Sequence, residues 1–181
     1  TEFPDRLWLP SPLVHLQPRI GAQLFAREAR QRDERAFGSF NGAAVRAFAP
    51  EVIDHHAAQV DVRKSVADPA HDADINVVGL LRVLEAARLA GALQHVIFAS
   101  SGCAMYGEQD VFPAPESHAV RPESPYGLAK AVSEQYLAWY QRMYRITSTA
   151  LRYGNVYGPR QNPHGEAGVV AIFCGRILEG K

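Results

Sequence analysis

Cysteine is scarce in this chain of 181 residues: there are two, Cys103 and Cys174, far apart and outside any C-x-x-C. That spacing argues against a disulfide framework or a thiolate zinc site and fits a reducing compartment. Each is expected to pack as a small buried hydrophobe. Charge of one sign is also lacking, since Lys+Arg and Asp+Glu stand at 19 each with no long run of either. The electrostatic footprint of a nucleic-acid or membrane-surface binder is therefore missing, and neither partner is expected. No apolar run reaches the 18 residues of a membrane-crossing helix. The stretch Thr1 to Pro10 carries Glu2, Pro4 and Asp5, where a secretory signal has a cationic and then an apolar segment. The expectation is a soluble, cytoplasmic protein.

What is present is enough apolar material, 47% of residues, for the core of one domain, or of one domain and part of another. From Glu51 onward short apolar runs alternate with long amphipathic segments. Glu51 to Ala58 reads as a buried strand entering a small-residue turn. Asp68-Pro69 gives a helix cap followed by proline at the first helical position, and Ile75, Val78, Leu81, Leu84 and Ala87 recur at helical spacing until Gly91. Gln94 to Ala99 is the next strand, emptying into a glycine-containing loop, Ser100 to Gly107. Ser124-Pro125 caps a second long helix to about Tyr144, and Ile146 to Arg152 is a third strand. This order predicts an α/β fold with a parallel sheet, flanking helices and right-handed crossovers.

Ligand groups in such sheets collect beyond the carboxyl ends of the strands, here Ala57-Ala58-Gln59, Ser100-Ser101 and Tyr153-Gly154-Asn155. The second long helix begins on that side, and in its first turns Tyr126 and Lys130 stand one helical turn apart. With 7 Tyr and 3 Lys in the chain, such a pair arises by chance in roughly one chain in ten, so the pair gains weight only from its position. A cation one turn away and the positive helix start are expected to make the phenol more acidic, as a general base requires. His55-His56 is not read as a metal site, because neighbours on a strand point to opposite faces. No metal is expected. Tyr136, Trp139, Tyr140 and Tyr144 form an aromatic stripe suited to core packing or a helix-to-helix subunit contact. Residues 1–43 resist assignment: prolines interrupt the start, Arg19 to Phe37 could form a charged helix with Arg30, Arg32 and Arg35 on a solvated face, and Gly38 to Gly42 reads as a linker.

His56-Ala57-Ala58-Gln59, Asn76-Val77-Val78-Gly79, Phe98 through Gly107, Tyr126 with Lys130, and Leu151 through Arg160 stand in one order and spacing. By these stretches, over about residues 44–181, the chain resembles the NAD-dependent epimerase/dehydratase branch of the extended short-chain dehydrogenase/reductases, the branch that contains UDP-glucose 4-epimerase. The resemblance implies a Rossmann-like NAD-binding and catalytic domain over 44–160 and the start of a substrate-binding region over 161–181. It implies NAD as a recycled cofactor, a nucleotide-diphosphate sugar as substrate, and a homodimer paired through the two long helices.

The resemblance also implies roles. Tyr126 would take the proton of a sugar hydroxyl, Lys130 would lower its pKa and hold the nicotinamide ribose, and Ser101 would bond the same sugar oxygen. Ala57, Ala58, Gln59, Asn76, Ser100 and Tyr153 would line the cofactor; Asn155 and the helix start at Val170 would meet the nucleotide-sugar. Dehydratases of the family carry an Asp-Glu pair just after the catalytic Thr, where this chain has Gly102 and Cys103. That favours epimerisation at sugar carbon 4, by transient oxidation, over 4,6-dehydration, with a dehydratase or reductase of the same family as the alternative. The family's opening glycine turn has only a faint counterpart in Arg19 to Leu24, with His15 and Pro18 at the first two glycine places. Side chains there would block the approach of backbone to a pyrophosphate, at roughly 3–9 kcal/mol for two or three lost charge-assisted hydrogen bonds. The first βαβ unit is thus read as missing or degenerate and the substrate region as truncated. A catalytically silent remnant acting as a dimerising module is the alternative from another class.

Overall fold

A computed structural model of the chain describes residues 42–159, 161 and 168–180. The candidate charged helix, Arg30, Arg32 and Arg35, and the faint glycine turn all lie outside the described residues. The first element, α1 (Gly42–Phe48), stands where the sequence suggested only a linker and its exit. Its one buried residue, Val45, belongs to the main apolar cluster.

Three parallel strands follow, β1 (Val52–His55), β2 (His95–Ser101) and β3 (Thr147–Tyr153), in spatial order β1-β2-β3. Between β1 and β2 run α2 (Val62–Ala67), α3 (Pro69–Ala73), a π-helical turn (Asp74–Val78) and α4 (Gly79–Ala90). Between β2 and β3 come α5 (Gly102–Tyr106) and α6 (Pro125–Tyr144). After β3 stands α7 (Val169–Leu178). This is the parallel, Rossmann-like arrangement that the alternation of elements predicts.

The helix boundaries have local causes. The Ser124 hydroxyl accepts the Gly127 N–H at 3.1 Å and Pro125 sits in the first turn of α6. Asp68 accepts the His71 N–H at 3.0 Å ahead of Pro69, and Gly91 ends α4 with φ 81°, a conformation glycine adopts without a Cβ penalty.

The long helix predicted from Asp68 to Gly91 is interrupted, however, by the π turn. A π turn holds one more residue than an α turn. The inward face therefore shifts, so that Leu80 is buried beside Leu84 and Ala87 while Val78, expected inside, is 37% exposed. The expected loop after β2 likewise closes into α5, capped by the Ser101 hydroxyl, which accepts the Ala104 N–H at 3.3 Å.

The core lies between one face of the sheet and α4 and α6. Val96 and Phe98 of β2 meet Leu80 and Leu84 of α4 and Leu137 and Tyr140 of α6. Tyr140, from the aromatic stripe, is buried and donates to Glu85 at 2.6 Å. Tyr136, Trp139 and Tyr144 remain exposed at 38–39%. Both cysteines are exposed, contrary to expectation: Cys103 sits on the outer side of the single-turn α5, and α7, which carries Cys174, has no buried residue.

His55 and His56 do take opposite faces. His56 bonds Asp54 at 2.8 Å on the outside. His55 is buried and stacks on Phe98 with ring centroids 6.0 Å apart and planes 14° apart. Burial first, then the charge of Lys130 and of His56, lowers its pKa to about 4. The folded value is below the unfolded one, so between about pH 6.5 and 4 the unfolded chain binds the extra proton and stability rises with pH. Between pH 7 and pH 5 this residue should cost the fold about 2 kcal/mol. Urea unfolding at the two pH values should show a loss smaller by that amount in His55→Phe; equal losses in the two proteins would contradict the assignment.

Candidate functional site

The register of the sheet lines up three strand ends. Ser101 pairs with Tyr153 and Ser100 with Arg152, while His55 pairs with Phe98, so β1 leaves the sheet at the same end and leads into Ala57, Ala58 and Gln59. Gly127 then fixes the start of α6. A Cβ at that position would strike the Ala104 carbonyl oxygen, so α6 approaches α5 as closely as only glycine allows. That approach brings Tyr126, the preceding residue, close enough to Ser101 for the serine hydroxyl to lower the pKa of the phenol. Tyr126 and Ser101 thus open on one site.

Lys130 is buried at 3% exposure. Its Nζ donates to the Ala99 carbonyl oxygen at 2.7 Å, lies 4.7 Å from the centre of the Phe98 ring and 5.7 Å from that of Tyr126. Desolvation lowers its pKa to about 8, opposed by the negative charge of Asp72. The phenol behaves contrary to the sequence-based expectation. Burial of Tyr126 and the charge of Asp72 raise its pKa above the usual phenol value, and the Ser101 hydrogen bond only partly offsets them. The reason is desolvation: a phenolate removed from water loses more than a cation at this distance returns when that cation is itself bonded to a carbonyl.

The other predicted residues divide into a frame and a rim. Gln59 and Asn76 are buried and bond each other both ways: the Gln59 N–H donates to Asn76 Oδ1 at 2.9 Å, and Asn76 Nδ2 donates to the Gln59 carbonyl at 3.0 Å. Their remaining amide N–H groups meet on Asp72 Oδ1, each at 3.0 Å. This holds the β1 exit against the π turn, so the backbone after Ala57 and Ala58 is fixed by side chains that face inward. Ser100 also faces inward, donating its one hydroxyl hydrogen to Glu134 at 2.6 Å with the Met105 sulfur 3.1 Å from the same oxygen. Ala57 and Ala58 are half-buried, and Tyr153 is 37% exposed. Asn155 and Val170 are exposed.

Sequence reasoning missed two parts of this frame. The first is Asp72, which a helical-wheel reading could have found, since it stands one turn before Asn76 on the same face. The second is the ion pair of Arg152 with Glu134. Arg152 Nη2 meets Oε2 at 2.7 Å and its Nε meets Oε1 at 3.1 Å, while Nη1 donates to the Tyr106 hydroxyl at 2.8 Å and to the Glu116 carbonyl at 3.0 Å. With Ser100 on the same carboxylate, this pair ties the ends of β2 and β3 to α5 and α6. Its partners are far apart in the chain, and no local pattern announces them.

The arrangement gathers groups that can exchange protons with a ligand. A hydroxyl, a phenol and a buried ammonium lie in sequence at the mouth of the sheet, beside small residues that leave room for a flat ligand.

Comparison with known proteins gives a consistent picture. A sequence model of the NAD dependent epimerase/dehydratase family matches residues 35–181. A UDP-glucose 4-epimerase of Mycolicibacterium smegmatis is 50% identical over 134 residues, which cover 74% of this chain and 42% of the relative. The crystal structure of a Thermus thermophilus UDP-glucose 4-epimerase in complex with NAD matches with a TM-score of 0.71 at 47% identity, covering 82% of this chain and 46% of that one. A Thermotoga maritima UDP-glucose 4-epimerase with UDP-glucose matches with a TM-score of 0.73 at 46% identity, over 82% and 47% of the two chains. The chain thus spans less than half the length of these relatives.

Proposed function

This chain belongs to the NAD dependent epimerase/dehydratase family, and we propose that it carries the catalytic core for NAD-dependent 4-epimerisation of a nucleotide-diphosphate sugar. The observation that supports this most is the meeting of Ser101, Tyr126 and Lys130 at the carboxyl ends of the strands.

NAD fits the residues present on one structural ground: Ala57 and Ala58 follow β1 with side chains too small to obstruct a ring, and His56 just before them brings its ring to 6.4 Å from that of Tyr153 at the same end of the sheet. When bound, the nicotinamide would accept a hydride from the sugar carbon 4 and give it back. The chain's own residues do the rest. Tyr126 withdraws the proton of the 4-hydroxyl and returns it; Ser101 bonds that oxygen and keeps the phenol aimed at it; Lys130 holds the nicotinamide ribose. Ala57, Ala58, Gln59, Asn76 and Ser100 shape the cofactor side, the two amides and the serine through the backbone they fix. Asn155 and the α7 start at Val170 face the nucleotide-sugar.

Epimerisation is preferred over dehydration because the position after Ser101 is cramped for an acid. A Cβ on Gly102 would lie 3.2 Å from the Arg152 carbonyl oxygen, and the next residue is the exposed Cys103.

We further read the exposed ridge of Tyr136 and Trp139 on α6 as the contact of a homodimer through the two long helices; a purely monomeric sedimentation profile at micromolar concentration would reject it.

The test of function is a titration of the purified chain with NAD, followed by turnover of UDP-glucose. Binding tighter than millimolar is expected, and Tyr126→Phe should keep it while lowering kcat by about 10²–10⁴-fold, the usual worth of a positioned base. Binding no tighter than millimolar would reject the enzymatic reading in favour of a silent dimerising module, and full turnover in Tyr126→Phe would reject the assigned base.

A further inference from the structure

Asp72 is, among the described residues, the sole buried carboxylate, at 1% exposure. Its Oδ1 takes both amide N–H groups, from Gln59 and Asn76. Its Oδ2 is buried with no hydrogen-bond partner. Such an oxygen is costly to keep unless a nearby positive charge compensates it. Ser133, one turn after Lys130 on α6, donates to the Asn76 carbonyl at 3.5 Å, so the helix face that carries the Lys130 ammonium packs against the segment that carries Asp72. The groups that face Lys130 are His55 from β1, the Phe98 ring and Ala99 carbonyl from β2, Asp72 from α3, and Tyr126 from its own helix. His55 is neutral above about pH 4, and Asp72 is the one carboxyl group in that set, favouring the charged amine.

We propose that Asp72 is a positioning residue, a carboxylate oriented by Gln59 and Asn76 whose negative charge keeps the buried Lys130 an ammonium. The proposal rests on the reading of Tyr126 and Lys130 as the reacting pair. It explains why two predicted cofactor residues turn their amides inward: they orient the counter-charge of the lysine. The same charge disfavours the phenolate of Tyr126, so the site keeps its cation at the expense of a less acidic phenol. A burial effect alone predicts the opposite response to mutation. Removing a merely structural Asp72 would loosen the packing, hydrate Lys130 and raise its pKa. Removing a counter-charge lowers it.

Asp72→Asn separates the two, because an asparagine oxygen can still accept from both amides. The chain has three lysines, Lys64, Lys130 and Lys181, so selective ¹³C-lysine labelling resolves Lys130 by NMR without cofactor or turnover. In the native protein its midpoint is expected near about 8; in Asp72→Asn it should fall by about one unit or more. An unchanged or raised midpoint would overturn the proposal. A second variant keeps the charge: Asp72→Glu should leave the Lys130 midpoint near its native value, and a fall as large as that in Asp72→Asn would overturn the proposal as well. Neither readout depends on NAD binding, so a failed activity assay and a failed counter-charge remain distinct results.

Discussion

The site depends on a single buried cation. Lys130 is withdrawn from water, and everything near it answers to that charge: the carbonyl of Ala99, the faces of Phe98 and Tyr126, the carboxylate of Asp72. An ammonium in such a place loses its proton readily unless compensated. The fold supplies compensation from three segments, the carboxyl end of β2, α3 and the start of α6, and Gln59 ties α3 to the exit of β1. Holding the charge and building the site are therefore one task. The Glu134 and Arg152 pair serves the second half of it, joining β2, β3, α5 and α6 where no apolar contact could specify their register.

This arrangement changes how the phenol must work. The tyrosine and lysine spacing suggests a base made acidic by its neighbour, yet in the folded chain burial and Asp72 act the other way. The phenol keeps its proton in the free protein. An oxidised nicotinamide ring carries a positive charge, and a second cation beside the phenol acts against both of those effects. Under the proposed function, ionisation of the phenol would then await the bound cofactor.

Much of this was legible in the sequence because its signals are local. Ser124-Pro125, Asp68-Pro69 and Gly91 mark helix ends through bonds made within a few residues, and the alternation of short apolar runs with amphipathic segments needs a parallel sheet. That Ser101, Tyr126 and Lys130 share one end of the sheet followed from topology, since strand ends and the crossover helix lie on one side; the roles given to them rest on the resemblance. The π turn was not legible: it is pinned by bonds from Asn76 to Gln59, 17 residues away. Helical periodicity therefore placed Val78 inside and overlooked Leu80. Nor was α5, where five residues carry too little pattern to separate a helical turn from a loop. The direction of the Tyr126 shift was misjudged because spacing reports the distance to a cation but not the loss of water.

The central claim is that Ser101, Tyr126 and Lys130 form one desolvated site whose phenol is held protonated until a cofactor binds. The most direct measurement is the ¹³Cζ titration of Tyr126 in the protein with and without NAD. The account predicts a midpoint above the ordinary phenol value of about 10 in the free protein, moving down when NAD is added. A midpoint below that value in the free protein, or one that NAD leaves in place, would contradict it.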